Sequence, residues 1–190
     1  MASKDNVYFD EENRLIFISS DIDESSIGIV SYDILHLISI DNKNEKTNTH
    51  YEREPIKLYI NSMGGSVYDM WGLIDIIINS KTPIHTYCTG YAMSATFLIF
   101  IAGHKRFTTK HSTFMCHQIW NRMSGKYQDL VQDMKEKDYL QKCLEQFVLE
   151  KTHMSKKCLK DIREKKMDYY IHGEDAIDLG IADVLIEEGE

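Results

Sequence analysis

Residues able to do chemistry stand in this chain where rigid elements should end. Ser94 lies in Gly90-Tyr91-Ala92-Met93-Ser94-Ala95-Thr96, after the alternating Thr86-Tyr87-Cys88-Thr89 and before the apolar run Phe97 to Gly103. The first flank suits a buried strand and the second a buried helix, so Ser94 falls at a strand-to-helix turn. There its hydroxyl sits at a helix N-terminus, where free N–H groups and the positive dipole end favour a developing oxyanion. The plain alternative is an N-capping serine with no chemistry.

Acyl transfer by serine also needs a base, a group that fixes the base's tautomer, and N–H donors for the oxyanion. Of the eight histidines, His117 ends the apolar strand Thr113-Phe114-Met115-Cys116, whereas His36, His50, His104, His111 and His153 have polar surroundings. A strand end holds an imidazole rigidly, although a histidine there serves equally well as structure. Gly64-Gly65 lets the main chain approach a carbonyl closely, so the N–H groups of Gly65 and Ala95 are the candidate donors. An ordinary turn into a helix also favours glycine. Cys116 is a rival nucleophile, but neighbouring strand residues point to opposite faces, which turns it away from His117.

The elements that must position these groups follow from periodicity. Arg14 to Ser19 and Ile56 to Ile60 read as buried strands. A helix carries Ile27, Val30, Ile34, Leu35 and Ile38, capped at Ser25 or Ser26, and another carries Met70, Leu73, Ile74 and Ile77. Between them the polar stretch from Asp41 to about Glu54 has no apolar period and is expected to be an exposed insertion loop. Alternating strands and helices predict an α/β domain with a mostly parallel sheet, whose ligands collect at the carboxyl ends of the strands. Arg106 to Thr108 and Thr113 to His117 are short strands, and Asp175 to Leu179 is a short helix closed by Gly180 before a final strand. A long amphipathic helix, about 129–151, carries Leu130, Met134, Leu140, Cys143, Leu144, Phe147 and Val148. That stripe is covered either by the chain's own sheet or by another subunit.

The 190 residues, with 43% hydrophobic content, suit a single domain over residues 1–190. A net charge of −8 without a basic block argues against nucleic acid and anionic membrane as partners. Four cysteines without a CxxC pair point to reduced thiols in a cytoplasmic compartment and to no metal site. The first residues lack a signal core, and no apolar run is long enough to span a bilayer.

Tyr59-Ile60-Asn61-Ser62-Met63-Gly64-Gly65-Ser66-Val67, Gly90 to Ser94, Met115-Cys116-His117-Gln118 and Asp175 to Asp183 together resemble the ClpP-type serine peptidases, the proteolytic subunit of the Clp protease. The resemblance runs from about Arg14 to Ile186, in the family's order. It implies a spiral of repeated ββα units, as in crotonase-like proteins, with the long helix as a handle. It also implies Ser94 as nucleophile, His117 as general base, Asp168 as the carboxylate orienting it, and Gly65 with Ala95 as the oxyanion pair. Asp161, Asp175 and Asp178 lie near Asp168 in the sequence. A peptide or unfolded protein would lie extended between the strand Gly65-Ser66-Val67-Tyr68 and the segment after Gln118, touching Ile119 and Trp120.

Family members form heptameric rings, stacked in pairs as a tetradecamer, and take substrate from a separate Clp ATPase. No cofactor is implied, and no phosphate-binding motif is present. Counting from the strand signals, only about a dozen residues precede the first strand, fewer than the family uses to meet its unfoldase. Met63 and Ile119 stand where the family usually has proline, and Trp120-Asn121-Arg122-Met123-Ser124-Gly125 replaces a glycine-rich segment. The expected activity is serine endopeptidase. The alternatives are a noncatalytic or assembly and capsid-maturation member, or a crotonase-like acyl-CoA enzyme. A thioester hydratase would want carboxylates over the acyl group, which a serine and a histidine do not supply.

Overall fold

The computed structural model describes residues 6–187, which leaves most of the stretch read for a signal core outside the described residues. The chain runs β1 (Val7–Asp10), β2 (Leu15–Ile18), α1 (Glu24–Thr47), β3 (Ile56–Ser62), α2 (Val67–Ile78), β4 (Ile84–Met93) and α3 (Ala95–Ala102). It continues through β5 (Lys105–Thr109), β6 (Thr113–Cys116), α4 (Tyr127–Lys151), α5 (Lys156–Lys165), β7 (Tyr169–His172), α6 (Gly173–Asp178) and β8 (Val184–Ile186). The sheet order is β1-β2-β3-β4-β5-β8, with β6 on β4 and β7 on β6. Among the described residues only β1 with β2 and β6 with β7 are antiparallel. This is the mixed α/β, mostly parallel architecture that the alternation of strands and helices predicts.

Strand β4 serves two neighbours in turn. Its first half pairs with β5 through His85–Cys88 and its second half with β6 through Tyr91–Met93. The switch coincides with an irregularity against β3, where Ile60 faces Cys88 but Ser62 faces Ala92. There the Tyr91 N–H donates to Asn61 Oδ1 at 3.2 Å, and any side chain at Gly90 would run into that amide. A bulge of this kind bends its strand. Here it swings the end of β4 towards β6, and so towards His117.

Helix α3 is apolar all round and every residue from Ala95 to Ala102 is buried, so it forms the centre of the molecule between α2 and α4. Helix α4 divides along its length. Leu140, Leu144, Phe147 and Val148 are buried on the body, with Phe147 edge-on to Trp71 at 5.5 Å. The first half leaves Met134 60% and Tyr139 63% exposed. The chain thus covers one half of the stripe and not the other.

Three sequence expectations need correction. The insertion loop about 41–54 is a loop only over 48–55, because α1 continues to Thr47. Its buried face runs Val30, Ile34, Leu37, Asp41, so the helical period is intact but ends on a carboxylate that an apolar pattern does not register. Asp41 is fully enclosed and accepts from Arg14 Nη1 at 3.1 Å and Nη2 at 2.8 Å, Thr82 Oγ1 at 2.7 Å and Tyr51 OH at 2.7 Å. The cap of α1 is Asp23 rather than Ser25 or Ser26. Its carboxylate accepts from Ser26 N at 2.8 Å while Ser26 Oγ accepts from Asp23 N at 3.1 Å, a capping box. And β1 forms within a region read as preceding the first strand, its turn closed by Asn13 N donating to Asp10 Oδ1 at 3.1 Å.

Burial alone pushes the Asp41 carboxyl up, but the bonds from Arg14, Thr82 and Tyr51 and the Arg14 charge outweigh it and leave it below the usual carboxylate range. A lowered folded-state pKa stabilises the fold above the unfolded-chain value of about 3.9, and the contribution disappears as pH falls through the folded value. Replacing Asp41 by Asn strands Arg14 beside a neutral group. Urea unfolding should show Asp41→Asn less stable by about 3 kcal/mol at pH 7, with the gap closing in acid.

Candidate active site

Ser94 occupies the turn between β4 and α3 with φ 53° and ψ −120°, a region that L-residues avoid at a cost of about 1–3 kcal/mol. Several bonds hold it there. Ser94 N donates to Met115 O of β6 at 2.9 Å, and Phe97 N donates to Ser94 O at 3.1 Å. Met93 N donates to Thr96 Oγ1 at 2.9 Å. The Thr96 hydroxyl lies 2.8 Å from Ser62 O and 2.7 Å from Met93 O, with one proton to donate between the end of β3 and the turn itself. Although Ser94 stands at the N-cap of α3, its side chain caps nothing. Its Oγ lies instead 2.7 Å from His117 Nε2. The capping alternative therefore does not describe this serine.

His117 follows β6 directly, and Met93 faces Met115 across the β4–β6 ladder, so both residues leave the sheet at the same edge. Its other nitrogen, Nδ1, is 3.4 Å from Asp168 Oδ1, an ion-pair distance. The neighbouring strands account for that partner. Cys116 pairs with Tyr169 in the antiparallel β6–β7 ladder, and the next step outward sets His117 opposite Asp168. Asp161 is engaged with Lys165 Nζ at 3.2 Å, while Asp175 and Asp178 belong to α6. A carboxylate at Nδ1 favours the proton on that nitrogen and leaves Nε2 to accept from the serine O–H. The Asp168 side chain is 58% exposed and that of His117 24%, so the pair is partly open to solvent.

The glycine pair closes the other side. Gly64 (φ 103°) lies so close to the serine turn that a Cβ would stand 2.7 Å from Met93 O, 2.8 Å from Ser94 Cβ and 2.9 Å from Ala95 N. Gly65 (φ 153°) is pressed against the Ile22 carbonyl and forms a bridge with Ile22, which donates from N to Gly64 O at 2.9 Å and accepts at O from Ser66 N at 2.6 Å. Both positions exclude a side chain. Among the described residues neither the Gly65 nor the Ala95 N–H is used by the fold, which leaves two donors beside the serine hydroxyl.

A cleft of about 240 Å³ opens at this point, lined by Gly65, Val67, Ser94, Ala95, His117, Ile119 and Trp120 and backed by the apolar Met70, Phe97, Leu98, Cys116 and Leu144. Two of the residues expected to bind substrate stand outside it. Ser66 has its N–H on Ile22 O, its carbonyl accepting from Met70 N and its hydroxyl capping α2; Tyr68 is in the first turn of α2 and points to Glu136. The anticipated strand Gly65 to Tyr68 is thus cut short by the helix. Ile119 lines the cleft, and its N–H is taken up by Gln141 Oε1 at 2.9 Å. Cys116 is inert: burial foremost, then Cys158 and Glu145, pushes its thiol up to about 12. Among the described residues no cluster of His, Cys, Asp and Glu is arranged to hold a metal, and no helix is long and apolar enough to cross a membrane.

Sequence reasoning passed over Thr96 as a working residue. A hydroxyl in an apolar helical run must find a partner when buried, and that was the available signal. Thr96→Val keeps the shape and orphans the Met93 N–H. It should lower stability by about 1–3 kcal/mol, whereas Thr96→Ser should restore it. Urea unfolding reads the effect.

The Clp protease family model matches residues 4–189. The ATP-dependent Clp protease proteolytic subunit of Porphyromonas gingivalis is 28% identical over 178 residues, covering 93% of this chain and 75% of that protein. Two proteins named ATP-dependent Clp protease proteolytic subunit 1, both from Prochlorococcus marinus, are 28% identical over 177 residues. Each alignment covers 92% of this chain, with 84% of one relative and 85% of the other. With the match spanning nearly every described element, including the serine turn and the strand that leads to His117, the chain belongs to the Clp protease family.

Proposed function

We propose that the chain is a serine endopeptidase acting on peptides or unfolded proteins through Ser94, His117 and Asp168. The observation that carries this reading is the 2.7 Å contact between Ser94 Oγ and His117 Nε2, made by a serine whose backbone is strained and whose side chain caps nothing. Ser94 Oγ attacks the scissile carbonyl while His117 takes its proton. The Gly65 and Ala95 N–H groups bind the oxyanion, and His117 returns the proton to the leaving amine. Water then adds to the acyl-enzyme with His117 again as base. Asp168 holds the imidazole tautomer and balances the imidazolium. The side chains of Val67, Ile119 and Trp120 line the cleft and receive the substrate.

In the same reading the protein works as a ring-shaped homo-oligomer of the heptameric or paired-ring type. The exposed first half of α4, with Met134 and Tyr139, supports a contact between subunits, since a helix face of this kind stays dry only when covered. The ATP dependence in the relatives' names is assigned here to a separate Clp ATPase. The four cysteines are unpaired, which fits a reducing, cytoplasmic compartment.

A serine-directed fluorophosphonate should label the assembled protein at Ser94 alone. Labelling elsewhere, or none, would overturn the assignment. Ser94→Ala and His117→Ala should each lower kcat/KM by on the order of 10³-fold or more, and the double variant should lose little beyond either single one, because the two act as a unit.

A further inference from the structure

The cleft has one wall with almost no regular structure. Residues 117–124, between β6 and α4, belong to no helix or strand, yet His117, Gln118, Ile119 and Trp120 line the site. Among the described residues, the sole hydrogen bond made by residues 118–125 is Ile119 N donating to Gln141 Oε1 at 2.9 Å. Ile119 packs against the core, but Trp120 is 78% exposed, so little else restrains the stretch.

Gln141 is itself oriented. Its Nε2 donates to Glu145 Oε1 at 3.0 Å, one turn along α4. Glu145 in turn receives Arg163 Nη1 of α5 at 2.7 Å and 2.9 Å, one distance to each carboxylate oxygen. A carboxylate held by a guanidinium only accepts, so it draws the amide N–H₂ of Gln141 and leaves the amide oxygen facing Ile119. An amide turned the other way would set donor against donor at Ile119 and acceptor against acceptor at Glu145. Glu145, held in place by Arg163, therefore sets which end of Gln141 meets the cleft wall. The same α5 ends at the left-handed Lys166 and leads through Met167 to Asp168, so one chain of bonds reaches from the helix before the carboxylate to the segment after the histidine.

We propose that Gln141, set by Glu145 and Arg163, is a positioning residue that fixes the segment Gln118 to Trp120 along the bound peptide and acts on substrate affinity rather than on acyl transfer. This rests on the peptidase reading above. The anchor touches neither Ser94 nor His117, and those two are held independently through β4 and β6.

The test compares Gln141→Leu, which removes the acceptor, with the paired exchange Gln141→Glu and Glu145→Gln, which keeps an oxygen for the Ile119 N–H, a donor between the two positions and an acceptor for Arg163. For Gln141→Leu, KM for a fluorogenic peptide should rise about tenfold, the factor that a hydrogen bond of ordinary net strength represents. Both kcat and the rate of fluorophosphonate labelling at Ser94 should stay within about twofold, and amide exchange at Ile119 should accelerate by about tenfold or more. The exchanged pair should keep KM and amide exchange close to those of the unaltered protein. Equal losses in labelling rate and KM would overturn the proposal, because the residue would then act on the triad or on the fold at large. Exchange or KM indifferent to Gln141, with normal labelling, would overturn it too. Failure of the peptidase reading has a different signature: no labelling of Ser94 in the unaltered protein, while exchange at Ile119 still depends on Gln141.

Discussion

The Ser94 backbone is held where it would not rest by itself, and much of the molecule is arranged so that it cannot leave. Its φ of 53° is opposed by about 1–3 kcal/mol of local strain. Directly after it comes α3, in which Phe97, Leu98, Ile99, Phe100 and Ile101 are all buried. Each such side chain contributes roughly 1.5–3 kcal/mol when removed from water, so the helix outweighs the strain several times over. Relaxing the turn would require α3 to shift within a packed interior, breaking the Ser94 N–H bond to Met115 and the Thr96 bonds in the same movement. The strained turn and the central core are therefore one cooperative unit.

Sheet connectivity does for His117 and Asp168 what burial does for Ser94. Because β6 pairs with the second half of β4 and β7 with β6, the residues just beyond Met93, Cys116 and before Tyr169 gather at one edge. Each ladder is fixed by main-chain bonds, which makes the meeting of three sequence-distant side chains a matter of register. A slip of one residue in β6 would turn the imidazole to the opposite face. The bulge around Asn61 and Gly90 belongs to the same arrangement, since it lets β4 leave β5 and meet β6. The buried Asp41 cluster lies at the opposite, amino-terminal ends of the strands, beside Arg14 before β2 and Thr82 before β4. Stability at that end is separated from chemistry at the other.

How much of this was legible in the residues depended on whether a pattern was local. The Ser94 turn, the glycine pair, the buried face of α2 and the long α4 are each specified by neighbours within a few positions, and periodicity found them. The extent of α1 was not, because its last core position is Asp41, whose partners Arg14, Tyr51 and Thr82 come from elsewhere in the chain. An apolar period cannot register a carboxylate neutralised at long range. Asp168 stood among several nearby aspartates until the β6–β7 register set it apart, and register between distant strands is not written in either strand alone. Thr96 and Gln141 escaped notice for a related reason: each looks like an ordinary helix residue until the orphan N–H that it satisfies is known.

The same accounting of N–H groups constrains how a substrate is recognised. An extended peptide is usually held by pairing with a free strand edge, which gives affinity with little regard to side chains. Here Ser66 has committed its N–H, carbonyl and hydroxyl to Ile22, Met70 and the first turn of α2, and Ile119 has committed its N–H to Gln141. Nearest the nucleophile the free Gly65 and Ala95 N–H groups suit one carbonyl oxygen, while among the described residues the main chain of Gln118 and Trp120 makes no hydrogen bond and stays open to an extended peptide. On the peptidase reading proposed above, side chains entering the apolar pocket behind Ser94, walled by Met70, Phe97, Leu98 and Leu144, add to that main-chain pairing. A bulky apolar residue there buries surface worth on the order of 2 kcal/mol, more than one additional main-chain hydrogen bond contributes net. On that reading pairing along Gln118 to Trp120 and burial behind Ser94 act together, the first indifferent to substrate side chains and the second selecting among them.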